Sequence, residues 1–234
     1  FQTGDRIAAA TIAGLKPEQV SIHTTFLGGG FGRRANPAND FVGEAVHVAK
    51  AVKAPVKVVW TREEDMRGGY YRPMWYDRMV GGVDATGNPV AWTHTIVGQS
   101  ILAGTPFEPF GVKDGIDSAS VEGAADLLYG IPNLQVDLHT AKLTIPVLWW
   151  RSVGHSHSGF AVEAFFDELA HAGGQDPFEL RRKLLANQPR MKALLELVAE
   201  KAKWGSPVAS GRGRGIATHF SFDSYVAQVA EVSV

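Results

Sequence analysis

Leu27-Gly28-Gly29-Gly30-Phe31-Gly32-Arg33-Arg34 stands between an alternating apolar–polar segment, residues 20–27, and an amphipathic segment that begins near Asp40. A glycine-rich turn between a strand pattern and a helix pattern lets the backbone approach a ligand closely and aim N–H groups at it. Two arginines at its end supply charge for a phosphate. The same residues serve equally well as a tight strand-to-helix turn with surface arginines. The spacing excludes two nucleotide loops, since neither Gly-x-x-x-x-Gly-Lys-Ser/Thr nor Gly-x-Gly-x-x-Gly is present.

Outward from this turn, the chain reads as mixed elements. Residues 6–15 form a helix closed by Gly14, and residues 40–53 a helix behind an Asp N-cap, with Phe41, Ala45, Val48, Ala49 and Val52 on one stripe. Residues 56–60 are a short apolar strand stopped by the charged turn Thr61-Arg62-Glu63-Glu64-Asp65. Strands over 76–84 and 89–99 meet at Asp84-Ala85-Thr86-Gly87-Asn88, a hairpin-like turn. Residues 104–117 are loop, and 134–140 strand. A helix over 158–172 places Phe160, Ala164, Phe165 and Leu169 on one face and ends at Gly173-Gly174. Asp176-Pro177-Phe178-Glu179 opens the next helix with a cap, Pro at N1 and Glu at N3. A further helix spans 191–204. The predicted class is α+β, mixed sheets with antiparallel hairpins and packed helices. One domain segment covers 1–204, a Gly/Ser/Arg-rich linker 205–215, and a strand region 216–234 that stops in mid-pattern.

Composition narrows the chemistry. The chain has 234 residues, 23 Lys+Arg against 24 Asp+Glu, and no cysteine. Disulfides, thiolate zinc, iron–sulfur clusters and a cysteine nucleophile are therefore excluded from this polypeptide. A net charge of −1 with interspersed signs leaves no basic stripe for nucleic acid. No apolar run of ~18 residues marks a membrane span.

Two further features carry candidate chemistry. Trp149-Trp150-Arg151 precedes the long helix and reads as core or as a ligand contact. His155-Ser156-His157 is an i, i+2 pair without a third ligand near in sequence, and reads as surface histidines. Glu63-Glu64-Asp65 and Arg181-Arg182-Lys183 read as solvated charge. No catalytic carboxylate stands out, and Gly-x-Ser-x-Gly is absent.

In order, Gly28-Gly29-Gly30-Phe31-Gly32-Arg33-Arg34, residues 58–66, Val121-Glu122-Gly123-Ala124-Ala125-Asp126, Ile131-Pro132-Asn133, Trp150-Arg151-Ser152-Val153-Gly154, Asp167-Glu168-Leu169-Ala170 and Asp176-Pro177 resemble the molybdopterin-binding large subunit of the xanthine dehydrogenase/aldehyde oxidase family. Within that family the resemblance is strongest to the large chains of isoquinoline 1-oxidoreductase-type enzymes. It implies a hydroxylase of N-heteroaromatic compounds or aldehydes in which a molybdenum–pterin cofactor carries the chemistry, water supplies the oxygen, and electrons leave through an iron–sulfur subunit or cytochrome. It also implies cofactor contacts from Gly29, Gly30, Phe31, Gly32 and Arg33 on one side and from Trp150 and Arg151 on the other. The remainder of the large subunit is then a partner, in the bacterial cytoplasm or periplasm. The glutamate base lies downstream of this segment in the family. The chain alone is thus expected to have no catalytic residue, no direct metal ligand, little cofactor and no turnover.

Departures from the xanthine-type pattern bear on substrate. Ala35 stands where those enzymes have a substrate-binding glutamate, Val153 where they have an aromatic wall, and Ser120 where they have a second pocket arginine. A purine is therefore disfavoured. The family glutamine beside the metal falls just before Phe1, so Gln2 is not that residue. Two other readings remain open on the sequence: a phosphate- or nucleotide-binding module built on residues 28–34, and a non-catalytic assembly domain.

Overall fold

The computed structural model describes residues 2–234, which divide into two compact units. The first comprises residues 2–73, 100–112 and 142–151, the second 74–99, 113–141 and 152–234.

In the first unit, α1 (Gln2–Ala13) packs along α2 (Asp40–Val52). Small residues make this contact: Ala9 and Ala10 are buried, and Gly43 lies against Ile12. The Lys50 ammonium donates to the Ile12 carbonyl at the end of α1 at 2.8 Å. The α2 stripe predicted from the sequence is only half covered, with Val48 and Val52 exposed. Asn39, in the left-handed conformation, precedes the helix, so Asp40 is its first residue rather than its cap. The charged turn at 61–65 is in fact the start of α3 (Arg62–Arg67). Thr61 Oγ1 accepts from the Glu64 N–H while the Glu64 carboxylate accepts from the Thr61 N–H, a capping box that was present in the sequence. Residues 20–27 and 56–60, expected as strands, join no ladder among the described residues. Alternation makes a strand only where another edge completes its hydrogen bonds, and this unit offers none; Phe26 is fully exposed. The 104–117 stretch contains the single-turn α4 (Glu108–Gly111).

The second unit holds the core. β1 (Trp75–Val83) runs antiparallel to β2 (Pro89–Gly98) as predicted, and the Asp84 carboxylate organises their turn by accepting from Thr86 and Asn88. The short ladder β3 (Val112–Lys113) with β4 (Ile116–Asp117) follows, and β5 (Asn133–Thr140) adds to β2 in parallel, making a mixed three-stranded sheet. α5 (His155–Ala172) buries Ser158, Val162, Phe166, Leu169 and Ala170, an i, i+4, i+8, i+11, i+12 stripe. This face is rotated from the one read in the sequence, and Phe160 points outward. Phe165 still packs edge-on against Trp92 of β2, 4.9 Å between ring centres. Asp176 caps α6 (Pro177–Leu184) by accepting from the N–H groups of Phe178 and Glu179. α7 (Pro189–Lys201) contributes the buried Met191, Leu195 and Ala199. The expected linker at 205–215 runs into strand at Arg212: β6 (Arg212–Ser221) pairs with β7 (Ser224–Ser233), and Arg212 and Arg214 are drawn into this hairpin by Glu231. The α+β class with mixed sheets is observed.

Candidate functional site

The glycine turn lies in the first unit, and its four glycines have different reasons to be glycine. Gly29 has φ 130° and Gly32 φ 91°; a Cβ on Gly32 would sit 2.9 Å from Trp150 Cα. Conformation and packing within the protein therefore require both. Gly28 and Gly30 lie outside the left-handed region. A Cβ on Gly28 would meet nothing within 4 Å, and one on Gly30 would make only ordinary contact with Arg34. Neither is needed by the protein's own packing. The main-chain N–H groups of Gly28, Gly29, Gly30, Phe31 and Gly32 donate to no atom of the described residues. Five successive donors are thus left to solvent or a ligand.

The structure brings the distant Trp150-Arg151 segment onto this turn. The Arg151 N–H donates to the Phe31 carbonyl at 2.8 Å, and the Trp150 backbone forms the surface that excludes a side chain at Gly32. Phe31 takes φ 51°, a conformation uncommon for a residue with a bulky side chain, and its ring is exposed. Trp149 packs edge-on against Phe107. The Trp150 indole N–H is buried and donates to no described residue, a state costing ~1–3 kcal/mol unless an acceptor is supplied. Ser152 and Val153, which follow, both have positive φ; for the β-branched Val153 this is the kind of strain that clusters at functional sites.

The arginines do not behave as a phosphate reader. Arg33 is bound by both oxygens of Asp40, at 2.6 and 3.3 Å, stacks over Phe41 and Tyr70, and is 12% exposed. Arg34 lies over the Phe41 ring at 4.5 Å and lines a separate cleft of about 460 Å³ with Trp60, Glu44 and Arg62. That cleft includes none of residues 28–32 and neither Trp150 nor Arg151. A phosphate loop with two free guanidinium groups is therefore not favoured.

Two runs that read as exposed in the sequence are covered in part in the second unit: Arg181 fully and His155 and His157 largely, while Arg182, Lys183 and Ser156 stay exposed. Arg181 is completely buried; its Nε donates to Glu163 at 3.0 Å and its Nη1 to Asp167 at 2.5 Å. Glu163 also accepts from the Tyr129 hydroxyl and from the Thr218 N–H. Burial raises the Glu163 carboxyl despite Arg181 beside it, and burial together with the Glu163 charge pushes the Tyr129 phenol well up. Burial opposes the Arg181 charge, but Glu163, Tyr129 and Asp167 outweigh it and raise that group.

His155 and His157 sit in the first turn of α5, where i, i+2 residues point into different networks. His157 stacks on Trp75 and lies 3.3 Å from Asp77, whose other histidine partner is His94 at 2.7 Å. Burial raises the Asp77 carboxyl, but hydrogen bonds from both histidines and their charge outweigh it and hold it well below the carboxylate range. His155 meets His219 at 3.0 Å. Among the described residues no group of three or more His, Cys, Asp or Glu is arranged to hold a metal ion.

Sequence reasoning missed Arg72, whose Nη2 donates to the Arg151 carbonyl at 3.1 Å, and Glu122, which accepts from Gly154 N–H at the start of α5. The Val-Glu-Gly motif was the only local signal for Glu122, and Arg72 had none.

A family model described as a molybdopterin cofactor-binding domain matches residues 2–185. The beta chain of isoquinoline 1-oxidoreductase of Brevundimonas diminuta is 29% identical over 228 residues, covering 96% of this chain and 29% of that protein. One of the nicotinate dehydrogenase subunits of Pseudomonas putida is 30% identical, covering 88% of this chain and 19% of that protein. Among solved structures, quinoline 2-oxidoreductase from Pseudomonas putida 86 matches with a TM-score of 0.69 at 19% identity, over 93% of this chain and 30% of that one, a likeness of fold. The chain spans less than a third of the length of these relatives. With the family match extending from α1 through α6, this chain belongs to the molybdopterin cofactor-binding domain family.

Proposed function

We propose that the chain is the cofactor-facing portion of the large subunit of a molybdenum hydroxylase that oxidises an N-heteroaromatic compound or an aldehyde, with water as the oxygen source. The carrying observation is the run of five unpaired N–H groups at Gly28–Gly32 set against the buried, acceptor-less indole of Trp150. These donors suit a group rich in oxygen, nitrogen and sulfur acceptors, and the bare surfaces of Gly28 and Gly30 suit its close approach. When bound, the molybdenum–pterin group would supply two-electron redox chemistry.

This chain's residues bind and orient. Gly29, Gly30, Phe31 and Gly32 present main-chain donors, Arg33 braces the turn through Asp40, and Trp150 and Arg151 form the opposing side. No residue here is assigned the proton-accepting role, which the resemblance places outside this segment. Names of relatives include isoquinoline and nicotinate on one hand and aldehydes on the other, in keeping with either substrate class, and Ala35, Val153 and Ser120 disfavour a purine. The partners proposed are the rest of the subunit, which would cover the exposed Phe26, Leu27 and Val59, and a cysteine-bearing iron–sulfur subunit or a cytochrome.

The test is elemental analysis and turnover with an artificial electron acceptor, on the 234-residue chain and on the longer polypeptide of the size of its relatives. Stoichiometric molybdenum and turnover are expected only in the longer form. Metal or turnover in the 234-residue chain overturns its incompleteness, and a longer form free of molybdenum overturns the cofactor assignment.

A further inference from the structure

The turn at Gly28–Gly32 and the segment Trp150-Arg151 are more than a hundred residues apart in sequence, and one main-chain hydrogen bond, Arg151 N–H to Phe31, joins them directly. A second hold falls on the Arg151 carbonyl, on the other side of that residue. The structure supplies it from residues 69–72. The Arg72 guanidinium donates to the Arg151 carbonyl at 3.1 Å.

Residues 69–72 are themselves tied to both partners. Tyr71 N–H donates to the Pro146 carbonyl at 2.9 Å and the Tyr71 carbonyl accepts from Leu148 N–H at 3.0 Å, a parallel bridge to the segment that leads into Trp150. The Tyr71 hydroxyl donates to the Arg67 carbonyl at 2.7 Å, anchoring this strip to the end of α3. On the other side, Arg33 from the glycine turn lies over the Tyr70 ring and so close to Gly69 that a Cβ there would meet its Nη2 at 2.8 Å. Residues 69–72 therefore touch the turn through Arg33 and the Trp-Arg segment through Arg72. Arg72 is exposed, and its bond is charge-assisted, a guanidinium donor making a stronger bond to a carbonyl than a neutral donor does.

We propose that Arg72 is a positioning residue that, by holding the Arg151 carbonyl, sets the spacing between Trp150-Arg151 and the Gly28–Gly32 turn. Its link to cofactor binding rests on the proposed function; its effect on spacing does not. Arg72 is assigned no contact with a reacting atom. It acts through Arg151, as a charge-assisted clip whose planar donors a shorter neutral side chain cannot reproduce.

The test is hydrogen–deuterium exchange on the 234-residue chain, comparing wild type with Arg72→Met and Arg72→Lys. In Arg72→Met, peptides covering Arg151 and the glycine turn are expected to exchange about tenfold faster or more, as when a hydrogen bond to a charged group is lost, while α5–α7 peptides are unchanged. Arg72→Lys keeps the charge and recovers part of the protection. Unchanged exchange at Arg151 in Arg72→Met overturns the positioning role, as does loosening of α5–α7 to the same extent, which would mark Arg72 as a general stability residue. Should Arg72→Met fail to fold, Arg72→Lys is decisive alone: an increase confined to the two segments supports the role, and no increase overturns it. Pterin content of the longer polypeptide, read by fluorescence after oxidation, separates the two proposals. Pterin held by wild type and lost in Arg72→Met supports both. Pterin absent from wild type overturns the proposed function and leaves the exchange result standing.

Discussion

The Glu163–Arg181 pair in the second unit and the glycine turn in the first solve opposite problems. At the pair, each charged atom has a protein partner: Arg181 is spread over Glu163, Asp167 and the Pro177 carbonyl, and Glu163 over Arg181, Tyr129 and Thr218. At the turn, five N–H groups and one buried indole have none among the described residues. The contiguous core also lies wholly in the second unit, around Trp92, Phe166, Leu180, Leu195 and Ile216. The first unit has Ala9, Ala10, Ile101 and Leu148 as its fully buried apolar residues. The second unit carries the core, with His94 Nδ1 a buried side-chain atom left without a partner, whereas the first keeps a run of main-chain donors open and has little core beneath them. Binding surfaces are drawn from such low-density regions because a ligand must supply the contacts the protein withholds.

The largest way to break that comparison is Arg181→Met. It leaves Glu163 as an uncompensated buried charge, so urea unfolding at neutral pH should show a loss of about 3–5 kcal/mol. Adding Glu163→Gln should recover part of it, because the charge goes while an acceptor for Thr218 remains. A loss below about 1 kcal/mol would mean the pair is no more than a surface bridge.

Gly32→Ala probes the other side. A Cβ at φ 91° and 2.9 Å from Trp150 Cα should cost ~1–3 kcal/mol and raise hydrogen exchange in the turn and at Arg151, with α5–α7 protected as before. If α5–α7 loosen too, the two regions are not independent in stability.

The smallest effect concerns pH. Burial lowers His155 and His219 from the ordinary value of 6.5, helped by the neighbouring histidine charge and opposed by Asp126. A depressed histidine stabilises the fold fully above 6.5, and that contribution is lost as pH falls through the folded value, because the unfolded chain then takes up more protons. The unfolding midpoint should therefore drop on acidification below 6.5, and His219→Phe should flatten the profile. Glu122 and Glu163, raised by burial, have the opposite slope between the carboxylate value of 4.5 and their folded values, so the histidine contribution is read from the difference between wild type and His219→Phe. A profile that His219→Phe leaves unchanged between about pH 5 and 7 would count against the histidine contact.

Much of the fold was legible because it rests on contacts within a few residues. The Asp176 cap, the β1–β2 hairpin with its Asp84 turn, the helices near 40–53 and 158–172 and the glycine stop at Gly173-Gly174 depend on i to i+4 chemistry or on alternation. The capping box at Thr61 and Glu64 belongs to this class and is hidden because the residues around it are also charged. The strands at 20–27 and 56–60 failed for a different reason: alternation describes a surface, whereas a ladder needs a second edge. The rotation of the α5 face followed from what covers it, which periodicity leaves open over a few turns.

By itself, the sequence determined the family, through an ordered set of motifs, and excluded cysteine chemistry from this chain. It also marked Gly28–Gly32 and Trp150-Arg151 as places where a backbone could meet a ligand. Only the tertiary structure decided that these two places adjoin, that Gly29 and Gly32 are held by the fold while Gly28 and Gly30 are left bare, and that Arg33 and Arg181 are already paired. The reason is physical. Local pattern reports which surfaces a segment offers, but a partner for a charge or a hydrogen-bond donor can come from a residue far along the chain, and that choice is made by packing.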